Sequence, residues 1–166
     1  MLCATYKILP NQHLPETEIT VLTGSWQALG TDAQAVRHAV FVAEQGIPAN
    51  LERDPADAGC IHVLARDGAG QALGTGRLLP QPDGVLKLGR LAVLASQRGR
   101  GVGQALLDAL LKAARAQGAR EVVLHAQQSA ASFYLAAGFQ PRGEAFMEAG
   151  IPHQEMVLPL APAPGA

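Results

Sequence analysis

Excess charge, cysteine and long apolar runs are all scarce in this chain, and each scarcity removes a class of function. Thirteen lysines and arginines against fourteen aspartates and glutamates leave a net charge of -1. That balance gives no electrostatic footprint for nonspecific nucleic-acid binding, so no nucleic-acid partner is expected. No uninterrupted apolar stretch is long enough to span a bilayer, and Met1 to Pro15 lacks a signal-peptide profile. No membrane partner and a cytoplasmic location follow as expectations. The two cysteines, Cys3 and Cys60, form neither a metal-ligand spacing nor a disulfide framework, so no metal is expected. Internal repeats are absent as well. What is present is a globular balance of 48% hydrophobic and 16% charged residues over 166 positions, enough to bury roughly two-thirds of the unfolded surface. A single domain over residues 1–160 is expected, with the Ala/Pro tail 161–166 frayed.

Thr31 and Gln34 have the spacing of a capping box, and Ala35, Val36, Ala39, Val40, Phe41 and Val42 give a helical apolar face that Gly46-Ile47-Pro48 stops. Asn50 to Gly59 carries Glu52, Asp54 and Asp57 without periodicity and reads as a polar loop. Three strand-like runs follow, Ile61 to Ala65, Ala72 to Leu79 and Val85 to Leu94, joined by Asp67-Gly68-Ala69-Gly70 and Pro80 to Gly84. Short turns between consecutive strands predict an antiparallel meander. Val102, Ala105, Leu106, Ala109, Leu110 and Ala113 then share one helical stripe that ends at Gly118. Val122-Val123-Leu124 is a short strand, Ser129 can cap a short helix through Ala137, and Phe139 to Phe146 and His153 to Leu160 can close the sheet. A strand-helix-strand crossover makes the strands near Val93 and Val123 parallel neighbours.

At the head of the long helix stands Arg98-Gly99-Arg100-Gly101-Val102-Gly103. Glycines let backbone NH groups approach an anion, and the helix aims its positive end at the same place. The loop closes Gly103-Gln104-Ala105, without the Gly-Lys-Ser/Thr of a nucleotide-hydrolysing loop. Its glycine spacing also differs from a dinucleotide fingerprint, and Glu121 falls at the beginning of its strand rather than the end. What remains is Arg-x-x-Gly-x-Gly at a strand-to-helix junction behind an antiparallel meander.

These residues resemble the GNAT superfamily of N-acetyltransferases. The likeness runs through Leu91-Ala92-Val93, the loop, the Leu106-Leu107 helix, Ala130-x-x-Phe133-Tyr134 and Gly138-Phe139. Arg37-x-x-Val40-Phe41-Val42-x-Glu44-Gln45 and Gly150-Ile151-Pro152-His153 resemble its ElaA-like branch. The resemblance implies an α/β fold of α+β type: a mixed, mostly antiparallel sheet with a central splayed parallel strand pair and helices on both faces. It implies acetyl-CoA as co-substrate, with the pantetheine arm along Leu91, Ala92 and Val93 and the pyrophosphate on Arg98, Gly99, Arg100, Gly101, Val102, Gly103 and Gln104. Gln127 and Phe133 would lie beside the cofactor; Gln127 stands where an asparagine is often found. Tyr134 matches the tyrosine that protonates the departing thiolate. The acceptor would be a small-molecule or protein amine; monomer and homodimer both stay open.

The general base is not fixed by the likeness, because Lys87 and Arg90 stand near where many relatives carry a carboxylate. Glu44, at a helix end where its charge opposes the dipole, is one candidate, with a salt bridge to an arginine as its other role. His153, after Pro152, is a candidate for lining the acceptor pocket. His62 and His125 lie on apolar strands and read as core histidines. Arg77 and Arg90 read as partly snorkelling strand residues, or as groups that recognise an acidic acceptor. Asp54, Asp57 and Glu148 read as solvated loop carboxylates that can also attract a cationic amine. Cys60 is expected to be buried and inert. The competing function for the same glycine cradle is a noncatalytic acyl-CoA-binding sensor or protein-docking module.

Overall fold

The computed structural model describes residues 18–161. Cys3 and the tail from Pro162 onward lie outside them. Strand β1 (Thr20–Gly24) leads into helix α1 (Trp26–Arg37), which starts five residues before the expected box. Ser25 is the cap: its hydroxyl accepts from the Ala28 NH at 3.2 Å, and Thr31 lies inside the helix. The helix continues as a π-helical segment, His38–Glu44, in which the Gln45 NH reaches back to the Val40 carbonyl at 3.0 Å. The expected polar loop is partly helical, with α2 at Ala49–Glu52 and a 3-10 turn at Pro55–Gly59 whose Asp54 cap accepts from Ala56.

The meander forms as expected: β2 (Ile61–Arg66), β3 (Ala72–Pro80) and β4 (Val85–Val93) pair antiparallel, and β1 adds to the outside of β2. Helix α3 (Val102–Ala116) crosses over to β5 (Glu121–Gln127), which runs parallel to β4. After the short α4 (Ala131–Ala136) come β6 (Gln140–Pro141), β7 (Phe146–Glu148) and β8 (Ile151–Pro159). No side chain caps α4; Ser129 lies in a 3-10 turn before it. The sheet order is β1-β2-β3-β4-β5-β8-β6, with β7 also on β8.

The two faces of the sheet are assigned by what they touch. Val102, Leu106, Leu107, Leu110, Leu111 and Ala114 form the buried stripe of α3, consistent with its 3.6-residue period. On β3, Gly74 and Gly76 face this helix: a Cβ on either would stand 2.8–2.9 Å from Leu106 or Leu110, so glycine permits the close packing. The other face carries His62, Thr75 and Arg77 beneath α1, where Trp26 lies 4.8 Å from the His62 ring. Helices therefore cover both faces.

The pairing of β4 with β5 sets the site. It runs only from Val85↔Glu121 to Leu88↔Leu124, after which β4 stays with β3 and β5 with β8. At the parting point β4 carries a bulge: Arg77 faces Gly89 and Thr75 faces Ala92, so Gly76 opposes both Arg90 and Leu91. Arg90 takes the left-handed φ of 51° that the bulge requires. Two parallel neighbours thus diverge into an open wedge.

Candidate active site

Backbone direction along β4 decides what the wedge offers. The Leu94 NH donates to the Leu73 carbonyl of β3 at 3.0 Å, so by alternation the backbone groups of Ala92 face β3 and those of Leu91 and Val93 face the gap. Ala92 instead packs its side chain beneath Val36 and Val40. Beyond the gap, Gly99 (φ 79°) and Gly101 (φ 82°) shape the loop, and Gly101 caps α3 from a left-handed conformation. No side chain caps this end, and the first intrahelical bond runs from Ala105 to Gly101, so the NH groups of Val102, Gly103 and Gln104 have no helical acceptor. The exposed loop has the geometry of an anion cradle.

The two loop arginines are engaged differently. Arg98 donates from both terminal nitrogens to the Glu44 carboxylate at 2.6 Å and from Nε to the Val93 carbonyl at 3.1 Å. Glu44 thus has the salt bridge that was one of its two expected roles. Hydrogen bonding to Arg98 holds the Glu44 carboxyl below its ordinary pKa, which makes it a weak proton acceptor. Arg100 reaches Gln97, and Gln104 donates to Asp108 at 2.8 Å.

Tyr134 sits on α4 just past the end of β5 and is 7% exposed. Its ring meets Phe133 and Phe139 edge-on at centroid distances of 5.1 and 5.8 Å. Phe133 in turn lies 3.7 Å from where a Cβ of Gly103 would stand, so α4 and the head of α3 share one pocket wall. The Tyr134 hydroxyl has no hydrogen-bond partner among the described residues, and it is not one of the fully buried partnerless atoms, so the oxygen keeps contact with solvent. Burial raises its pKa, which keeps the phenol protonated and able to donate.

On the α1 side of the wedge the end of the π-helical segment reaches β5. Gln127 donates to Gln45 at 2.9 Å, so its amide is held by the residue that ends the π-helical segment. His153 stands directly opposite Gln127 on β8 and hence projects from the same face. A 480 Å³ cavity between α1 and α2, lined by Thr31, Gln34, His38 and Arg53 among others, lies elsewhere on this side; Tyr134, Val93 and the glycine loop form no part of its wall.

Several sequence readings are corrected beneath α1. Arg77 is buried, not a snorkelling surface residue, and Asp57 is buried rather than solvated. The Asp57 carboxylate accepts from Arg37 at 2.9 and 3.0 Å and from Arg77 at 2.8 Å; Arg37 also pairs with buried Glu52, and Arg77 with Asp54 at 2.7 Å. Burial pushes the Asp57 pKa upward, but the hydrogen bonds from Arg37 and Arg77 outweigh it and hold it below the ordinary value. Arg90 has no carboxylate partner among the described residues and donates to the Glu52 carbonyl at 3.2 and 3.3 Å. Arg37 was detectable in principle: it falls on the same buried stripe as Ala33, Val36 and Val40, a position where a charge demands a partner. His62 is a core histidine, its Nε2 2.9 Å from the Asp57 carbonyl and its pKa lowered by burial. Cys60 is buried and its thiol pKa raised by burial, as an inert cysteine requires. His125 departs from expectation, being 25% exposed and set between two carboxylates.

A wedge between diverging parallel strands, a glycine loop at the head of the crossover helix and a buried phenol beside it define an acyltransferase fold. The acetyltransferase (GNAT) domain family matches residues 28–160, and the chain belongs to that family. It is 42% identical over 127 residues to YjcF of Bacillus subtilis (strain 168), an uncharacterized N-acetyltransferase, covering 76% of this chain and 89% of that protein. Among solved structures, Escherichia coli ElaA superposes with a TM-score of 0.76 at 28% identity, over 84% of this chain and 99% of that one. An acyl-CoA N-acyltransferase from Pseudomonas aeruginosa gives 0.75 at 28% identity, with the same shares covered. The chain is an acyltransferase of this family.

Proposed function

We propose that this chain transfers the acetyl group of acetyl-CoA directly to a primary amine of a small molecule or protein. The observation that carries the reading is the coincidence, at one end of the sheet, of the β4/β5 wedge, the uncapped head of α3 and the unpartnered Tyr134 hydroxyl. Backbone NH groups from Arg98 to Gly103, with those of Val102 and Gln104 on the helix, take the pyrophosphate. Leu91 and Val93 take the pantetheine amides, as an added strand would, with Ala92 fixing the strand from behind and Gln127 and Phe133 closing the sides. An NH facing the gap, that of Val93, meets the oxygen on which negative charge develops when the amine adds to the thioester. Tyr134 gives its proton to the departing thiolate. Glu44, paired with Arg98, serves better to hold that arginine over the loop than as the base, and His153 serves to face the acceptor. No covalent intermediate on the protein is needed, because positioning and electrostatics supply the catalysis.

The test is to incubate the purified chain with acetyl-CoA and a panel of primary amines while following free thiol. Amine-dependent thiol release supports the reading; failure to bind CoA at all overturns it.

A further inference from the structure

The hairpin β7–β8 turns through Ala149 and Gly150, both at positive φ (50° and 75°), which is the two-residue turn whose twist suits paired strands. Its register places Phe146 opposite His153 and Glu148 opposite Ile151. Phe146, Glu148 and His153 therefore share one face, and Gln127 and His125 of β5 extend that face toward the wedge, with Glu155 opposite His125. On it the Phe146 ring stacks on His153 at 6.0 Å and meets His125 edge-on at 5.0 Å.

The hydrogen bonding of His153 is what singles this cluster out. Its Nδ1 lies 2.7 Å from the Ile151 carbonyl, which can only accept, so Nδ1 carries the proton. In the neutral ring Nε2 then presents a lone pair, and what faces it, at 3.5 Å, is the Glu148 carboxylate. So long as that ring is neutral, two acceptors confront one another with no donor between them. The side chain is only 8% exposed, and Nε2 has no donor among the described residues. His125 adds to the deficit: its nitrogens lie 3.3 Å from Glu148 and 3.5 Å from Glu155, and as a neutral ring it supplies one NH for two carboxylates. Nearby Arg142 is spent on Glu155 and Glu121. Among the described residues Glu148 is left half-exposed and without an arginine.

A primary ammonium supplies the missing donors, since one nitrogen can place separate NH groups on Nε2 and on the carboxylate. We propose that Glu148 and His153 form the acceptor subsite for a cationic primary amine, Glu148 holding the ammonium and His153 Nε2 taking its proton, with His125 positioning Glu148. This rests on the transfer reaction proposed above. The balance is complete: one ammonium proton passes to His153 and leaves through half-exposed Glu148 to solvent. The neutral amine forms the C–N bond and the C–S bond breaks. The second proton shed by that nitrogen replaces the one that Tyr134 gives the thiolate.

The probes are benzylamine, cationic at neutral pH, and aniline, which is not. With the chain loaded with CoA, benzylamine should shift the His153 Nε2 signal in a histidine-labelled 15N NMR spectrum, and Glu148→Gln should weaken that response about tenfold, the value of one charged contact. With acetyl-CoA, the same variant should raise the KM for benzylamine about tenfold and leave that for acetyl-CoA unchanged. His153→Gln should lower kcat about 100-fold for benzylamine, and by a smaller factor for aniline, whose nitrogen carries no ammonium proton to remove before attack. A silent His153 signal at saturating benzylamine overturns the subsite, as does an unchanged benzylamine KM in folded Glu148→Gln, a half-exposed replacement that keeps the variant set informative should His153→Gln misfold. A His153 signal that responds while no acetyl-CoA is consumed supports the subsite and overturns the transfer reaction instead.

Discussion

Replacing Tyr134 by phenylalanine should lower activity while leaving stability nearly unchanged. The hydroxyl is held in a residue 7% exposed, between Phe133 and Phe139, with no hydrogen-bond partner among the described residues. Removing it therefore breaks no protein hydrogen bond, and because the oxygen is not among the fully buried partnerless atoms it keeps contact with solvent, so no buried-polar penalty is lifted. In a chain of this size about 1 kcal/mol moves Tm by about 2–4 °C, so the variant is expected to melt within a few degrees of the wild-type temperature. The ring stays, and with it the packing against Gly103 through Phe133. Chemistry loses its proton donor, which for a general acid costs about 100-fold or more in kcat, roughly 2.7 kcal/mol of transition-state stabilisation. Because burial raises the phenol pKa, the wild-type donor remains protonated through the neutral range and its own loss of activity begins only above about pH 10. Calorimetric melting, titration with CoA and steady-state thiol release decide the matter together. Unchanged kcat would remove Tyr134 as the acid; a Tm lower by more than about 4 °C would mean that the hydroxyl has a structural partner after all.

Further outcomes follow from the buried charges and the loop. Asp57→Asn removes the carboxylate shared by Arg37 and Arg77 and should cost about 3–5 kcal/mol, lowering Tm by roughly 6–20 °C in a thermal melt; a loss under 2 °C would refute the shared role. Since the native pKa values of Asp54 and Asp57 are depressed, the stability they contribute is fully present above the ordinary carboxylate pKa and is lost as pH falls through the native values. Acid titration of wild type against Asp57→Asn should show the steeper loss below about pH 4 in wild type. Glu44→Gln should leave the shape of the kcat pH profile unchanged, because the carboxylate is already committed to Arg98; loss of a limb would make Glu44 the base. Gly101→Ala meets no atom within 4 Å but forces a side chain to φ 82°, so it should cost about 1–2 kcal/mol of stability and weaken CoA binding; unaltered CoA affinity would place the pyrophosphate elsewhere.

The parts of this molecule that are legible in its sequence are those fixed by near neighbours. Asp67 to Gly70 and Pro80 to Gly84 turn the meander, and the stripe from Val102 to Ala113 with its glycine head announces the crossover helix and the cradle. The start of α1 was obscured because its cap, Ser25, precedes Trp26, a poor periodic marker, while Thr31 mimics a cap inside the helix. Partners far apart in sequence are harder still. Nothing local tells Asp57 that Arg37 and Arg77 await it 20 positions away on either side, so acidic residues in an aperiodic stretch look solvated. Glu148 and His153 lie five positions apart, yet their meeting depends on a two-residue turn and on which face β8 presents, and a one-residue slip would separate them. Donor-side geometry is local and readable; acceptor-side geometry is a product of strand register.

The π-helical end of α1 bears on the order of events at the wedge. Within two adjacent residues it grips both banks: Glu44 holds Arg98 on the loop side, and Gln45 holds Gln127 at the tip of β5. A ligand entering between β4 and β5 thus meets a frame whose two sides are tied through one short segment, which grips Gln127 directly opposite His153. Donor and acceptor affinities are therefore expected to be linked, each raising or lowering the other by the same factor. In the proposed reaction the glycine loop would then do more than hold a phosphate; its occupancy would set the shape into which the amine must fit.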